Sequence, residues 1–210
     1  MPSAHFLKLV GQKALLNLWL DLHWIFVGPI AFTQRLQFLF QKYRSIFLNL
    51  SHVRFLSRNF YYDNRLTPAL MTDYVFEVRD LERLLDFNKV HTTLDIGGNI
   101  GQFAYTLKAR HSHLKIFSFE PNPKIFPLLL KNASAFQNWQ CFNFGIGEST
   151  KTLPLYFVPG KSSQGSLFRN NATQGLTSNQ VENVNIEIRN FDEDLQRYSN
   201  KILVISFAYR

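Results

Sequence analysis

Two acidic residues, each at or near the end of an apolar run, are the strongest candidates for chemistry in this chain. Asp95 lies in the run 93–96, which continues through the glycine-rich stretch 97–101, and Glu120 follows the run 115–119. Runs of this kind are typical of buried strands. A strand that becomes a helix through glycines presents backbone N–H groups at the carboxyl edge of a sheet. In doubly wound sheets a carboxylate about 20 residues further on accepts hydrogen bonds from ribose hydroxyls, so the pattern predicts a site for a nucleoside-containing ligand.

The spacing of the glycines argues about which nucleoside would bind. Dinucleotide sites use G-x-G-x-x-G, whereas this chain has Asp95-x-Gly97-x-Asn99-x-Gly101, with a polar residue at the turn. Asn99 and the compressed spacing disfavour an NAD site. A glycine turn that joins strand to helix without any ligand is the structural alternative.

The two segments together resemble the FkbM-type family of class I S-adenosylmethionine-dependent methyltransferases. The resemblance rests on Leu94-Asp95-Ile96-Gly97-Gly98-Asn99-Ile100-Gly101 and Phe119-Glu120-Pro121-Asn122-Pro123. It implies that the glycine turn lines the methionine end of S-adenosylmethionine, that Asp95 supports this turn, and that Glu120 holds the ribose. Gly98 departs from the alanine usual in the family, and Gly145 follows the third strand near the adenine. The predicted cofactor-binding residues are Asp95, Gly97, Gly98, Asn99, Gly101, Glu120, Asn122 and Gly145.

The implied fold class is α/β, a Rossmann-like three-layer sandwich with an N-terminal α-helical extension. We divide the chain into a basic helical extension, 1–62, and a partial methyltransferase domain, 63–210, with a β-rich insertion around 151–190. Thr67-Pro68 is a typical helix start, and residues 102–110 and 124–136 are expected to be helices. The segment 58–65, which precedes the helix start at Thr67, is interpreted as a linker.

The sheet is expected to be incomplete after its fourth parallel strand, 201–207. Family members continue with a segment like K-I-D-V-E-G, where this chain has Ser206 in place of the acid. An uncovered apolar edge favours aggregation or pairing. We therefore expect either an enzyme inactivated by truncation or an oligomer that covers the open edge.

Composition limits the classes of function. The chain has 210 residues, 46% of them hydrophobic, and a formal net charge of +8. Most of this charge belongs to residues 1–62, which carry seven basic residues and one acid, Asp21. A single cysteine, Cys141, rules out a disulfide framework within one chain and fits a reducing, cytoplasmic location.

The N-terminal segment has two interpretations. Residues 14–30 form an interrupted apolar stretch, and 32–50 carry apolar residues at helical spacing. They fit a pair of packed helices, or helices that attach residues 1–50 peripherally to an anionic membrane. Asp21 argues against a spanning helix, and the thin spread of basic residues argues against nucleic-acid binding.

The sequence leaves the chemistry of the acceptor open. The resemblance implies transfer of a methyl group to a hydroxyl of a sugar, lipid or natural product, but no side chain is identified as the general base. His111 and His113 are interpreted as surface residues without a third metal ligand, and the polar stretch 160–180 as a loop. The alternative function is a non-catalytic protein that binds a membrane or a partner through its basic helices.

Overall fold

The computed structural model describes residues 19–63, 67–159, 165–168, 181–190 and 202–206. The first helix, α1, is described over 19–27. The other helices are α2 (Phe32–Phe47), α3 (Thr67–Leu84), α4 (Gln102–Arg110) and α5 (Phe126–Ala133), with a 3-10 turn at Phe87–Lys89. The strands are β1 (His52–Phe55), β2 (Arg58–Tyr61), β3 (Thr92–Ile96), β4 (Lys115–Phe119), β5 (Trp139–Phe142), β6 (Gly145–Gly147), β7 (Lys151–Phe157), β8 (Glu182–Asn190) and β9 (Ile202–Ser206).

The main sheet is parallel and has the order β5-β4-β3-β9. Numbered within the sheet, the strands follow the order 3-2-1-4 of a doubly wound fold. The direction of winding reverses between β3 and β9, and in such sheets ligands bind beyond the carboxyl ends of the strands at this point. The predicted Rossmann-like α/β fold is confirmed, and the glycine turn after β3 lies at the reversal.

The two faces of this sheet bury different side chains because neighbouring residues of a strand point to opposite sides. Ile116 and Trp139 join the large hydrophobic cluster formed with α3, α4 and α5. Leu94, Phe117 and Phe119 form a smaller, Phe-rich cluster on the opposite face. The described members of the smaller cluster come only from strands and the segments that follow them. Of the three layers expected for the sandwich, the described residues therefore form the sheet and one helical layer.

A second sheet has three strands in the order β6-β8-β7, and two of them, β7 and β8, lie within the segment 151–190. β7 and β8 pair antiparallel, and the short β6 pairs parallel with β8. Gly145 begins β6, rather than forming the small-residue turn that the resemblance implies. A Cβ atom built on Gly145 would lie 2.6 Å from Ile188 Cδ1 and 3.4 Å from Pro121 Cγ. Close packing of this sheet against the main domain accounts for the glycine.

The segment 58–65 is not a linker over its first four residues. Arg58–Tyr61 is strand β2, which pairs antiparallel with β1 in a hairpin. Phe55 and Phe60 of the hairpin are buried against Tyr105, whose hydroxyl donates a hydrogen bond to the carbonyl oxygen of Phe55 at 2.9 Å. The polar and aromatic composition of the segment predicts a connection, whereas contacts with residues distant in sequence, such as Tyr105, stabilise the hairpin.

The N-terminal helices pack on each other and on α3, as one of the two interpretations predicts. Trp24 of α1 is buried between Phe38 of α2 and Phe76 of α3, with ring centroids 5.8 and 6.1 Å away. One hydrophobic cluster extends from these helices through the hairpin to α4 and α5. Packing is thus continuous across residue 62, the predicted domain boundary.

Several predictions lie outside the described residues. They include the first residues of the apolar stretch 14–30 and most of the loop 160–180, of which only 165–168 are described. Ser166 forms an isolated antiparallel bridge with Tyr156. Within the described ranges, no helix is long and apolar enough to span a membrane.

Candidate cofactor site at the sheet reversal

Glu120 is directed into the glycine turn from the tip of β4. The backbone N–H of Asn99 donates to Glu120 Oε2 at 2.8 Å, and the backbone N–H of Asn122 donates to Oε1 at 2.8 Å. The side chain is fully buried. The two predicted halves of the site, turn and acid, are therefore joined through a hydrogen bond to the side chain of Glu120.

The turn itself is closed by hydrogen bonds within the protein. Gly97 and Gly98 both donate their N–H groups to the carbonyl oxygen of Phe119, at 2.9 and 3.0 Å, and Gly101 donates to Gly98 at 2.7 Å. Together with Asn99, four amides of the predicted ligand-binding turn thus have protein acceptors. Gly97 (φ +79°), Asn99 (φ +51°) and Gly101 (φ +89°) adopt left-handed conformations, which glycine and asparagine tolerate best.

Two buried amide side chains beside Glu120 keep polar atoms that have no hydrogen-bond partner among the described residues. They are Oδ1 of Asn99, an acceptor, and Nδ2 of Asn122, a donor. Asn122 also accepts the N–H of Lys124 at 3.0 Å, so its side chain has a defined orientation. Buried polar atoms in proteins nearly always have a partner. An unpaired acceptor and an unpaired donor next to a buried carboxylate are consistent with a polar ligand at this position.

Asp95 is buried on the helical side of the sheet. Ser118 Oγ on the neighbouring strand donates to Asp95 Oδ2 at 2.6 Å and accepts from Nε1 of Trp139 at 2.9 Å. In the part of the chain that the structure describes, Oδ1 of Asp95 has no hydrogen-bond partner. Burial raises the pKa of Asp95 to about 6, and the hydrogen bond from Ser118 offsets part of this effect. The ionised form is therefore held at a cost in free energy.

Gly98 and Gly101 are required by the space around them. A Cβ atom on Gly98 would lie 2.8 Å from Asp95 Oδ2 and 3.1 Å from Ser118 Cβ. On Gly101 it would lie 2.9 Å from Leu129 Cδ1 and 3.0 Å from the ring of Trp139. Asp95 and Ser118 thus leave room for glycine at position 98, where the family usually has alanine. Gly101 packs toward the core on this side.

Asn132 and Ser118 help to position the site, although the sequence did not single them out. Asn132 Nδ2 donates to the carbonyl oxygens of Ile100 and Tyr61, at 2.8 and 2.9 Å, and its Oδ1 accepts the N–H of Tyr61 at 2.7 Å. It therefore links the glycine turn to β2. The signal available in the sequence was a polar residue on an otherwise apolar helix face, and for Ser118 a polar residue inside a strand.

The other potentially reactive side chains, Cys141 and His111, contact neighbouring groups of the protein. Cys141 lies on β5, where burial raises the pKa of its thiol to about 12, so it is a neutral packing residue. His111 is half-buried, stacks on Phe87 and lies 2.7 Å from Glu82 Oε1. In the described residues, no group of three or more potential ligand side chains is arranged to hold a metal ion.

The comparisons point to methyltransferases over part of the chain. No protein-family model matches it. The chain is 32% identical over 90 residues to Methyltransferase 1 of Beauveria bassiana (strain ARSEF 2860), covering 40% of this chain and 35% of that protein. It is 31% identical over 77 residues to Methyltransferase sdnD of Sordaria araneosa, covering 35% of this chain and 30% of that protein. The matched stretches therefore span about a third of each curated relative.

Among solved structures, the chain is similar to human N-acetylserotonin methyltransferase in complex with S-adenosylmethionine. The likeness covers 37% of this chain and 22% of that chain, with 18% identity and a TM-score of 0.31. A likeness of this extent carries no argument about the site, so the strand order and contacts above define the fold.

Proposed function

We propose that the α/β domain binds S-adenosylmethionine and forms the cofactor-binding part of an FkbM-type methyltransferase. The observation that supports this most directly is the contact of Glu120 with the N–H of Asn99 at the point where the sheet reverses. An acid at the tip of the second strand, held against the turn after the first, is where a ribose is bound in doubly wound folds. The partial similarity to two methyltransferases favours a sulfonium nucleoside over a dinucleotide.

The chemistry of the donors and acceptors fits this cofactor. A carboxylate such as that of Glu120 accepts hydrogen bonds from hydroxyl groups, including those of a ribose. The unpaired Oδ1 of Asn99 would accept from an ammonium group or hydroxyl, and the unpaired Nδ2 of Asn122 would donate to a ring nitrogen or hydroxyl. Glu120 and Asn122 are fully buried in this conformation. Binding therefore requires the chain that covers them to move.

In the proposed reaction a hydroxyl oxygen of a sugar, lipid or natural product forms a bond to the sulfonium methyl carbon. The carbon–sulfur bond breaks with its electron pair remaining on sulfur, and the hydroxyl proton is released. S-adenosylmethionine supplies the activated methyl group, and the protein supplies position and alignment. We assign no general base.

We further propose that a second polypeptide, or a further copy of this chain, covers strand β9. In the described residues β9 pairs with β3 on one side only. Parallel sheets are normally covered on both faces and protected at their edges. Sedimentation of the purified chain tests this, because a strict monomer at all concentrations would contradict self-association.

The cytoplasm is the proposed location, since it keeps a cysteine such as Cys141 reduced.

The cofactor proposal is tested by a thermodynamic cycle. A ribose hydroxyl is removed from the ligand, and Glu120 is changed in the protein. Calorimetry measures binding of S-adenosylhomocysteine and its 2′-deoxy and 3′-deoxy analogues to the wild type and to Glu120→Gln. We expect the wild type to lose roughly 10- to 100-fold in affinity for at least one deoxy analogue, because a hydrogen bond to a charged group contributes about 1.5–3 kcal/mol. In Glu120→Gln this loss should be much smaller.

The cycle separates recognition from folding, since both ligands are measured on the same variant. Equal losses in wild type and Glu120→Gln would contradict the assigned contact with ribose. Absence of binding of S-adenosylmethionine to the folded wild type, together with binding of NADH, would replace the proposal with the dinucleotide alternative. Gly101 is unsuitable for this test because any side chain there meets Leu129 and Trp139.

A further inference from the structure

Helix α2 exposes most of its bulky apolar side chains. Phe40 is 67% exposed and Phe47 is 89% exposed. They belong to a stripe with spacings of four, four, three and four residues, which places its members along one side of the helix. We call this stripe the outer face of α2. Its members are Phe32, Leu36, Phe40, Tyr43 and Phe47.

The opposite side of α2 buries polar groups as well as apolar ones. Besides Phe38 and Leu39 it buries Lys42 and Ser45. Lys42 Nζ donates to Asp21 Oδ1 at 2.6 Å, and this pair explains the acid that interrupts the apolar stretch of α1. A helix that buries an ion pair while exposing several aromatic side chains is inverted relative to the usual amphipathic pattern.

Helix α1 adds further apolar surface to the same hairpin of helices. Trp19 is 59% exposed, and Leu22 and Phe26 are also exposed. Their spacing of three and four residues again defines one side of a helix. Exposed apolar side chains on both helices of the pair are typical of an interaction site.

The shape and charge of the outer face favour a lipid surface over a protein groove. Of the described residues that line a shallow depression of about 720 Å³ on α2, Arg44 is the charged one. The sequence of α2 contains no acid, and Arg44 is exposed. Aromatic side chains beside an exposed cation match the boundary between acyl chains and anionic headgroups.

We propose that the outer face of α2, together with the exposed side of α1, docks the protein on an anionic bilayer surface. The aromatic side chains enter the headgroup boundary, and Arg44 contacts the anionic headgroups. This inference is independent of the cofactor proposal. Bringing the α/β domain to a membrane would favour acceptors that are lipids or glycolipids.

Tryptophan fluorescence gives a local readout of docking. The chain has three tryptophans, of which Trp24 and Trp139 are buried and Trp19 is exposed. Full-length protein is titrated with phosphatidylcholine vesicles and with vesicles that also contain phosphatidylserine, and binding is measured in parallel by co-sedimentation. We expect a blue shift of Trp19 emission, and quenching by brominated acyl chains, with the anionic vesicles.

Matched variants test the two components. Phe40→Ser combined with Phe47→Ser should weaken binding to anionic vesicles by more than about tenfold, whereas the equally exposed Leu84→Ser on α3 should leave it unchanged. Arg44→Gln should weaken binding roughly fivefold at low salt. Arg83→Gln, which removes an exposed charge from α3, is its control.

Three results would overturn the proposal. They are absence of binding to anionic vesicles by folded wild-type protein, equal losses in the α2 and α3 variants, and a stable dimer that Phe40→Ser and Phe47→Ser convert to monomer without any vesicle binding. The last result would assign the outer face to a second copy of the chain. Cofactor binding by calorimetry should be the same for all these variants, so failure of one proposal does not affect the other.

Discussion

The glycine turn 97–101 with Asp95 and Glu120, here called the glycine corner, and the helical hairpin of α1 and α2 organise polar and apolar groups in opposite ways. At the corner, Glu120 and Asp95 are buried among backbone amides and small residues, and the amides of the turn have protein acceptors. In the hairpin, an ion pair between Asp21 and Lys42 is buried while aromatic residues face outward. The first arrangement buries polar groups in a hydrogen-bonded turn, and the second exposes an apolar surface in the described part of the chain. The difference indicates that the two regions meet different partners.

The largest effect on stability is expected from breaking the buried ion pair between Asp21 and Lys42 in the helical hairpin. Lys42→Ala leaves the carboxylate of Asp21 buried without its cation, which costs about 3–5 kcal/mol in the free energy of unfolding. Chemical denaturation measures this difference. Arg79→Ala removes an exposed ion pair with Asp80 and should cost no more than about 1 kcal/mol. Similar costs for the two variants would mean that Lys42 is not held as described.

The second expectation concerns pH and the buried carboxyl of the corner. Burial raises the pKa of Asp95 to about 6, above the value of about 3.9 in an unfolded chain. The folded state therefore binds this proton more tightly, and stability falls as pH rises from about 4 to about 6. The loss amounts to about 3 kcal/mol and persists at neutral pH.

Denaturation of wild type and Asp95→Asn at several pH values between 4 and 7 isolates this contribution. The variant cannot ionise at this position, so the difference in unfolding free energy between the two proteins should change by about 3 kcal/mol over this window. Other groups contribute equally to both curves. Parallel curves would show that Asp95 has an ordinary pKa in the folded protein.

Two glycine variants of the corner test how tightly it is packed. Gly98→Ala places a methyl group against Asp95 and Ser118 and should cost about 1–3 kcal/mol. Gly101→Ala should cost more, because its φ of +89° adds backbone strain to the contact with Leu129 and Trp139. Thermal unfolding ranks the two variants. A Gly98→Ala protein as stable as the wild type would mean that the turn adjusts easily.

The smallest effect should come from the outer face of α2. Phe47→Ser changes a side chain that is almost fully exposed, so the free energy of unfolding should change by less than about 0.5 kcal/mol. Denaturation under the conditions used for Lys42→Ala makes the contrast direct. A larger loss would indicate that Phe47 packs on the protein in solution, and the surface would then be part of the core.

Local signals in the sequence determined much of the main domain. Apolar runs and glycine placement predicted β3, β4 and the helix after Gly101, and the helix predicted over 124–136 is observed as α5, Phe126–Ala133. These features are local, because strand, turn and helix preferences depend on neighbouring residues. The fourth strand was also anticipated, and it pairs parallel with β3. The short hairpin 52–61 was missed because its stabilising contacts come from Tyr105 and Asn132, distant in sequence.

By itself, the sequence determined that Asp95, the glycine turn and Glu120 lie at the ends of adjacent parallel strands. Only the tertiary structure decided that the carboxylate of Glu120 accepts from Asn99, that Gly98 leaves room for Asp95, and that α2 faces outward with its aromatic residues. Periodicity shows which residues share a side of a helix, but not which side meets the core. That choice depends on packing between distant segments, here on where Asp21 pairs with Lys42.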